Sequence, residues 1–349
     1  MERIAFIIGE RFLYWSSILL TLSVVVSICV FLALYLRRSG NVIAAAIAVP
    51  VSMALSLVLA RLVHWYCRAD SYASLEAALT DYSSGGFALM GVFAGCFLTA
   101  LLLRILFLSK NLPEMLDCMC LAGGAGIAVG RLASFFSASD RGILVESVKT
   151  LPWVYPVTNA VSGQEEYRLA TFLIQAMVTG AIFLILLVAT TILRKKEKIR
   201  DGDTCVLFLL CYGASQVVLD STRYDSLFFR SNGFVSIVQV LGALAIGLAL
   251  ILYSIRLVRN RGWKTWYLIL WLLSAVMLGL GGYMEYHVQR HGSEALFAYS
   301  VMSACLLGLV TMGALLFALA GTEKKQSSHH SHGGTFLREN RMHVGAEND

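Results

Sequence analysis

Residues 168–200 read RLATFLIQAMVTGAIFLILLVATTILRKKEKIR, with no charged residue between Arg168 and Arg194 and then five basic residues within seven. A helix needs about 20 apolar residues to cross the hydrocarbon of a bilayer, and this run supplies them. The basic cluster that ends it marks the side that stays cytoplasmic. Working outward from this stretch, comparable runs recur near 12–36, 42–66, 86–108, 114–137, 203–221, 233–256, 264–283 and 295–320. The strict alternation of a membrane β-barrel is absent, so the runs are predicted as helices. The first is too long for a cleaved signal peptide and lacks a small-residue cleavage site. The fold class expected is all-α, a polytopic bundle of nine transmembrane helices.

Composition agrees. Of 349 residues, 58% are hydrophobic and 14% charged, against roughly 25% charged in a soluble domain. A cytosolic enzyme, a secreted disulfide scaffold and a disordered chain are thereby excluded. The net charge of +6 reflects placement rather than affinity for nucleic acid. Arg37, Arg38, Arg104, Lys110, the 194–200 cluster, Arg256, Arg259, Arg261, Lys264 and the basic residues of the tail all fall on one side when the N-terminus is put outside. The acidic residues Asp70, Glu76, Asp81, Asp140, Glu146, Glu165 and Glu166 fall on the other. The expected topology is N-terminus outside and C-terminus cytoplasmic, with a cytoplasmic tail over 322–349 expected to be disordered. The eight cysteines show no disulfide framework and no zinc spacing.

Ionisable residues inside apolar helices carry most of the functional information, because each costs several kcal/mol, of order 2.5–3.5 by insertion scales, unless paired or hydrated. The fourth run contains Asp117, then Gly123, Gly124, Gly126 and Gly130, then Arg131. Its glycines allow close helix approach, and Arg131 lies where its fork can meet a lipid phosphate or simply snorkel to the headgroups. The second run carries Arg61 and His64 near its outer end, the histidine being either a proton acceptor or a headgroup contact. The sixth carries Tyr212, Gln216 and Asp220, followed by Arg223, at spacings that put them on one face. That stripe reads as a headgroup cleft or as an interhelical seam, with Asp220 and Arg223 able to pair. The segment 138–167 is a long outer loop with prolines and aromatics suited to the interface, a loop class that is usually functional or disordered. The histidines His329, His330 and His332 of the tail, and Glu285, His287 and His291 in a loop after the eighth run, are weaker signals. Gly85-Gly86 lacks the other features of a P-loop.

Taken in order, these segments resemble the bacterial prolipoprotein diacylglyceryl transferase family over roughly residues 10–257. Ala60-Arg61-Leu62-Val63-His64 resembles one helix segment of that family. Gly85-Gly86 with Gly91 resembles its glycine-rich segment. Asp117, Gly130-Arg131-Leu132, Phe135 and Gly142 resemble its signature. Tyr212-Gly213, Asp220 and Arg223 resemble a later helix, and Ser236-Ile237-Val238-Gln239 the opening of its seventh. The chain departs from the pattern at Met90, in place of a histidine, and at Gln216, in place of an arginine. Ser134, Ser137 and Ser139 replace asparagines and a glutamate, and the segment Tyr167–Thr171 does not carry the family's usual motif.

The resemblance implies transfer of a diacylglyceryl group from phosphatidylglycerol to the lipobox cysteine of a secreted preprolipoprotein, in the bacterial cytoplasmic membrane. Glycerol phosphate is released, and no metal or soluble cofactor is required. It implies Arg131 as phosphate clamp, with Ser134, Gly142, Tyr212, Gln216, Asp220 and Arg223 lining the lipid site. With Met90 in place of the histidine, His64 is the candidate replacement base, His287 or His291 the further options. Residues 1–257 would form a seven-helix core and 258–321 two added helices. Two alternatives stay open at this point: a catalytically altered relative that binds phospholipid or serves another acceptor, and a transporter or sensor sharing only helical composition.

Overall fold

The structure, a computed structural model, describes residues 4–9, 11–80, 85–137, 140–145, 153–159, 162–230, 232–291 and 294–321. Ser139 and the tail histidines His329, His330 and His332 lie outside the described residues. The chain opens with an antiparallel ribbon, β1 (Ile4–Ile8) and β2 (Arg11–Tyr14), and continues into α1 (Trp15–Arg38), α2 (Val42–Cys67) and the short α3 (Leu75–Thr80). Next come α4 (Leu89–Ile105) and α5 (Leu112–Arg131), which a 3-10 turn over Leu132–Phe136 extends. A second ribbon, β3 (Val154–Thr158) with β4 (Glu165–Leu169), leads to α6 (Thr171–Lys195) and α7 (Asp203–Ser221). A third, β5 (Phe228–Phe229) with β6 (Asn232–Ser236), precedes α8 (Ile237–Arg261), α9 (Tyr267–His291) and α10 (Ala295–Ala320).

Eight of these helices are long and apolar enough to cross a membrane, and α4, at 17 residues, is shorter. Several boundaries differ from those expected. The first helix begins at Trp15 because the apolar residues before it pair as a ribbon. The third run shortens at both ends, where Gly85 and Gly86 (φ 69° and 86°) and then Phe107 (φ 58°) take left-handed backbone that ends a helix. The seventh run opens as β6, and α8 starts at a capping box: Gln239 N donates to Ser236 Oγ, and Ser236 N donates to Gln239 Oε1. The expected outer loop after the eighth run is helical, so Glu285, His287 and His291 belong to α9. There Gln289 Nε2 donates to Glu285 Oε1 one turn back. The long 138–167 loop contains the β3–β4 ribbon.

Two helices organise the rest. α5 packs on α1, α4, α6 and α7, and α7 on α6, α8 and α10, while α2 lies along α4 and α9 along α10. Small residues permit the closest approaches, as bilayer packing favours. A Cβ on Gly126 would collide with Ser27 Oγ of α1, and Gly130 faces Ser23, so these two glycines lie in the α1–α5 contact, while Gly124 faces Phe208 of α7. Likewise a Cβ on Gly91 would collide with the backbone of Leu59 and Ala60, and one on Gly95 with Ser56. Gly91→Val is therefore expected to force α4 off α2 and destabilise the detergent-solubilised protein by about 2 kcal/mol. Thermal unfolding measures it, and an unchanged Tm would show that the helices part without cost.

At one end of the bundle Asp117, fully buried, joins four segments. It accepts hydrogen bonds from Cys205 N (2.8 Å), Gly202 N (3.0 Å) and Arg194 Nη2 (3.3 Å), with Arg38 Nη1 at 4.0 Å. Gly202, at the N-cap of α7 with φ 94°, has no side chain with which to cap that helix. The carboxylate from α5 satisfies the exposed N–H groups and opposes the helix dipole in its place.

Candidate active site

At the other end of α5, fourteen residues and about 21 Å away at 1.5 Å per residue, a second polar cluster forms around Asp140. Arg131 Nη1 lies 2.6 Å and Arg223 Nη2 2.7 Å from the same oxygen, Oδ1. Ser134 Oγ donates to the other, Oδ2, at 2.6 Å. Arg223 is itself held on two further sides, by Asp220 Oδ1 (3.2 Å) and Asp225 Oδ1 (3.0 Å). Asp225 Oδ2 in turn accepts from the Asp140 amide at 2.7 Å. Asp220, on the last turn of α7, takes a further hydrogen bond from Ser236 Oγ, so the cap of α8 is tied into the same network.

Local structure explains why these side chains meet. The chain around Gly142 runs between the segment after α7 and β4: Gly142 bridges Arg223, Ile143 N donates to Thr222 O (3.0 Å), Gly142 N to Leu169 O (3.1 Å), and Tyr224 N to Arg141 O (2.8 Å). A Cβ at Gly142 would collide with Leu169 O and lie 2.6 Å from Thr171 Oγ1. Only glycine fits, and any side chain there would lift Asp140 away from the arginines.

Of the residues singled out in the sequence, Arg131, Ser134, Gly142, Asp220 and Arg223 are brought together here. Tyr212 and Gln216 lie on the same face of α7 and are buried. The Tyr212 ring stacks on Phe208 (5.3 Å between centroids) and meets Phe93 of α4 edge-on. Its hydroxyl makes no hydrogen bond of good geometry among the described residues but is close enough to Arg131 to feel its charge. Gln216 turns to α6, where Gln175 Nε2 donates to its Oε1 at 3.0 Å.

His64 belongs to a separate group. Its Nδ1 lies 2.8 Å from Tyr72 Oη, on α2 and the segment that follows it. Arg61, near the end of α2 as expected, is fully buried. It donates to the carbonyls of Ala78, Gly85 and Gly86 and lies over the Tyr72 ring at 4.9 Å. It thus clamps the segment entering α4. The β5 strand, a few residues beyond Arg223, packs on α2.

Three partners were not identified from sequence: Asp140, Asp225 and Gln175. In the sequence Asp140 counts only among the acidic residues of the outer side and Asp225 carries no signal of its own; only the meeting of three distant segments reveals them. Gln175 carries a signal that went unread, a buried amide within an otherwise apolar run.

The model of the prolipoprotein diacylglyceryl transferase family matches residues 3–255. The chain belongs to that family. It is similar to the phosphatidylglycerol–prolipoprotein diacylglyceryl transferase of Streptococcus sanguinis (strain SK36), 25% identical over 211 residues, which are 58% of this chain and 77% of the relative. It is also similar to the protein of that name in Streptococcus pneumoniae (strain Hungary19A-6), 26% identical over 212 residues, or 59% and 76%. The diacylglyceryl transferase match ends inside α8, and α9 and α10 lie beyond it.

Within this diacylglyceryl transferase fold, the charge of Asp140 follows from its neighbours. Burial works against the Asp140 carboxylate, but Arg131, Arg223 and the Ser134 hydroxyl outweigh it and hold the group well below the usual carboxylate range. A carboxyl depressed in this way contributes stability that is fully present above its unfolded value near 4 and is lost as pH falls through the lower folded value. The Tm difference between the chain and Asp140→Asn is therefore expected to stay constant from about pH 8 to about pH 5 and to shrink only below about pH 4. A difference already fading between neutral pH and about pH 5 would show that the arginines do not hold this carboxylate.

Proposed function

We propose that the chain transfers the diacylglyceryl group of phosphatidylglycerol to the lipobox cysteine of a secreted preprolipoprotein. The observation that carries this reading is the convergence of Arg131 and Arg223 on one carboxylate oxygen, with Ser134 on the other, at one end of the bundle. Three donors that gather around a small anion suit the phosphate of a lipid headgroup. The acceptor thiol reacts as its thiolate, whose sulfur attacks the glyceryl carbon next to the phosphate. The carbon–sulfur bond forms, the carbon–oxygen bond breaks, and its electron pair leaves with glycerol phosphate, whose growing charge the guanidiniums stabilise.

In this reading Arg131 is the phosphate clamp and Arg223, held by Asp220 and Asp225, the second cation. Tyr212 and Gln216 line the deeper wall, and Gly142 keeps the loop close. His64 is the proton acceptor. Its support is position: Gly91 rests on Leu59 and Ala60, so the end of α2 bearing His64 lies at the junction where α4 presents Met90. A general base is worth about 10² to 10⁴ in rate, so His64→Ala is expected to lower kcat by about 10² with little change in KM for lipid.

In this reading the chain crosses nine times, counting α4, with its N-terminus outside, and the Asp140 cluster lies at the outer leaflet of the bacterial inner membrane, where lipid and secreted acceptor both arrive. Residues 1–257 then form the catalytic core, and α9 and α10 an addition that buttresses α7 and α8. Anionic phospholipids other than phosphatidylglycerol would be weaker donors at the same clamp. The test is turnover of phosphatidylglycerol and a lipobox peptide by the purified chain, followed as glycerol phosphate release and as the mass gained by the peptide. Release without a modified peptide, or neither product, would overturn the reading.

A further inference from the structure

The groups in direct contact around Arg131 and Arg223 are unequal in charge: two guanidiniums face three carboxylates, those of Asp140, Asp220 and Asp225. Bringing a phosphodiester into this partly buried cluster would set four negative charges against two positive ones, and desolvated like charges repel strongly. One carboxylate has to give way. Asp220 is buried on α7 and bound by Ser236. Asp225 chelates Arg223 and holds a main-chain amide. Asp140 differs from both. It stands in a loop rather than a helix, its backbone is left-handed (φ 57°), and both its oxygens are given to Arg131, Arg223 and Ser134. Left-handed backbone is uncommon for residues other than glycine, although aspartate tolerates it better than most.

We infer that Asp140 is a built-in occupant of the anion site, holding the donors that a lipid phosphodiester takes and withdrawing as that anion enters. This rests on the lipid-phosphate reading of the cluster given above. A carboxylate and a phosphodiester each present two oxygens sharing one negative charge, so the exchange leaves the net charge unchanged. It also keeps the two guanidiniums gathered on one counter-charge until the donor lipid arrives. The same geometry argues against Asp140 as a base, since a carboxylate held this firmly in its charged form is a poor proton acceptor. Withdrawal of Asp140 releases its amide from Asp225 and loosens the strand-like segment that follows, where Gly142 and Val145 bond to β4.

The experiment uses the full chain in detergent, titrated calorimetrically with dihexanoyl-phosphatidylglycerol and separately with glycerol 3-phosphate. Where an internal occupant competes, the apparent affinity is reduced by the fraction of time the site is open. Asp140→Asn is accordingly expected to bind the lipid about tenfold more tightly, and Asp140→Glu to bind like the unaltered chain. Tighter binding of the lipid alone would assign the site to a headgroup, and tighter binding of both to a phosphate group in general; either supports the exchange. Equal or weaker binding by a monodisperse Asp140→Asn protein overturns it. Should that variant not fold, hydrogen exchange on the unaltered chain decides. Adding lipid is expected to speed exchange over 140–145, and slower or unchanged exchange refutes the inference. Lipid-dependent release of this segment without thioether formation would leave the inference standing and defeat the transferase reading instead.

Discussion

Arg131→Ala is expected to lower kcat for diacylglyceryl transfer by about 10² to 10³, the loss seen when one donor to a developing anion is removed. Arg131 occupies the last residue of α5, where the 3-10 turn over Leu132–Phe136 carries the chain toward Asp140 and sets the guanidinium 2.6 Å from that carboxylate. Without it, Arg223 alone would face the departing phosphate, already shared with Asp220 and Asp225. Because the arginine acts most strongly when charge moves onto the leaving oxygen, kcat falls further than affinity for the lipid. Arg131→Lys restores a charge but not the planar fork, and is expected to recover only part of the rate. Glycerol phosphate release and the mass of the lipobox peptide, measured side by side, report both variants. Turnover that survives Arg131→Ala would remove the phosphate clamp from the mechanism.

The second large effect concerns stability. Asp117→Ala is expected to cost about 3–5 kcal/mol, the range for leaving a buried charge without its partner. Removing the carboxylate strands the amides of Gly202 and Cys205 at the start of α7 and leaves Arg194 and Arg38 without their buried counter-charge. Arg194 keeps Asp201 at 2.7 Å, which softens the loss on that side. Asp117→Asn retains an acceptor for the helix amides and is expected to recover roughly 1 kcal/mol, the worth of a typical hydrogen bond. Thermal unfolding in detergent checks both. Equal stability of Asp117→Ala and the unaltered chain would mean that α7 does not depend on this cap.

Much of this architecture could be read directly from the chain. Apolar runs of spanning length located the helices, because hydrocarbon leaves the backbone no other partners. Charges inside such runs pointed to Asp117, Arg131 and Asp220, since lipid makes an isolated charge costly. The spacing of Tyr212, Gln216 and Asp220 placed them on one face of α7. The three ribbons are short, and two of them adjoin helices as apolar as themselves: Phe12, Leu13 and Tyr14 merged into the first run, and Phe234 and Val235 into the seventh, whereas β3 and the charged β4 lay within the long outer loop. Asp140 was missed for a different reason. A single aspartate beside Arg141 in a loop looks solvated, and its role arises only when the end of α5, the Gly142 strand and the segment after α7 come together. The same holds for Gln216, whose partner Gln175 is 41 residues away in the chain.

The short α4 carries a consequence for the lipid around it. Seventeen residues rise about 26 Å, whereas the hydrocarbon of a typical bilayer measures about 30 Å. A crossing helix that falls short thins the bilayer beside it. The start of α4 lies against Ala60, where Ala88 N donates to Ala60 O, and it is entered through the segment held by Arg61. In the topology proposed above, the headgroup layer of the outer leaflet on that flank is expected to dip toward the interior of the bundle. A phosphatidylglycerol arriving there would have a shorter climb out of the membrane before its phosphate meets the guanidiniums, and the pinched leaflet would itself act as the entrance.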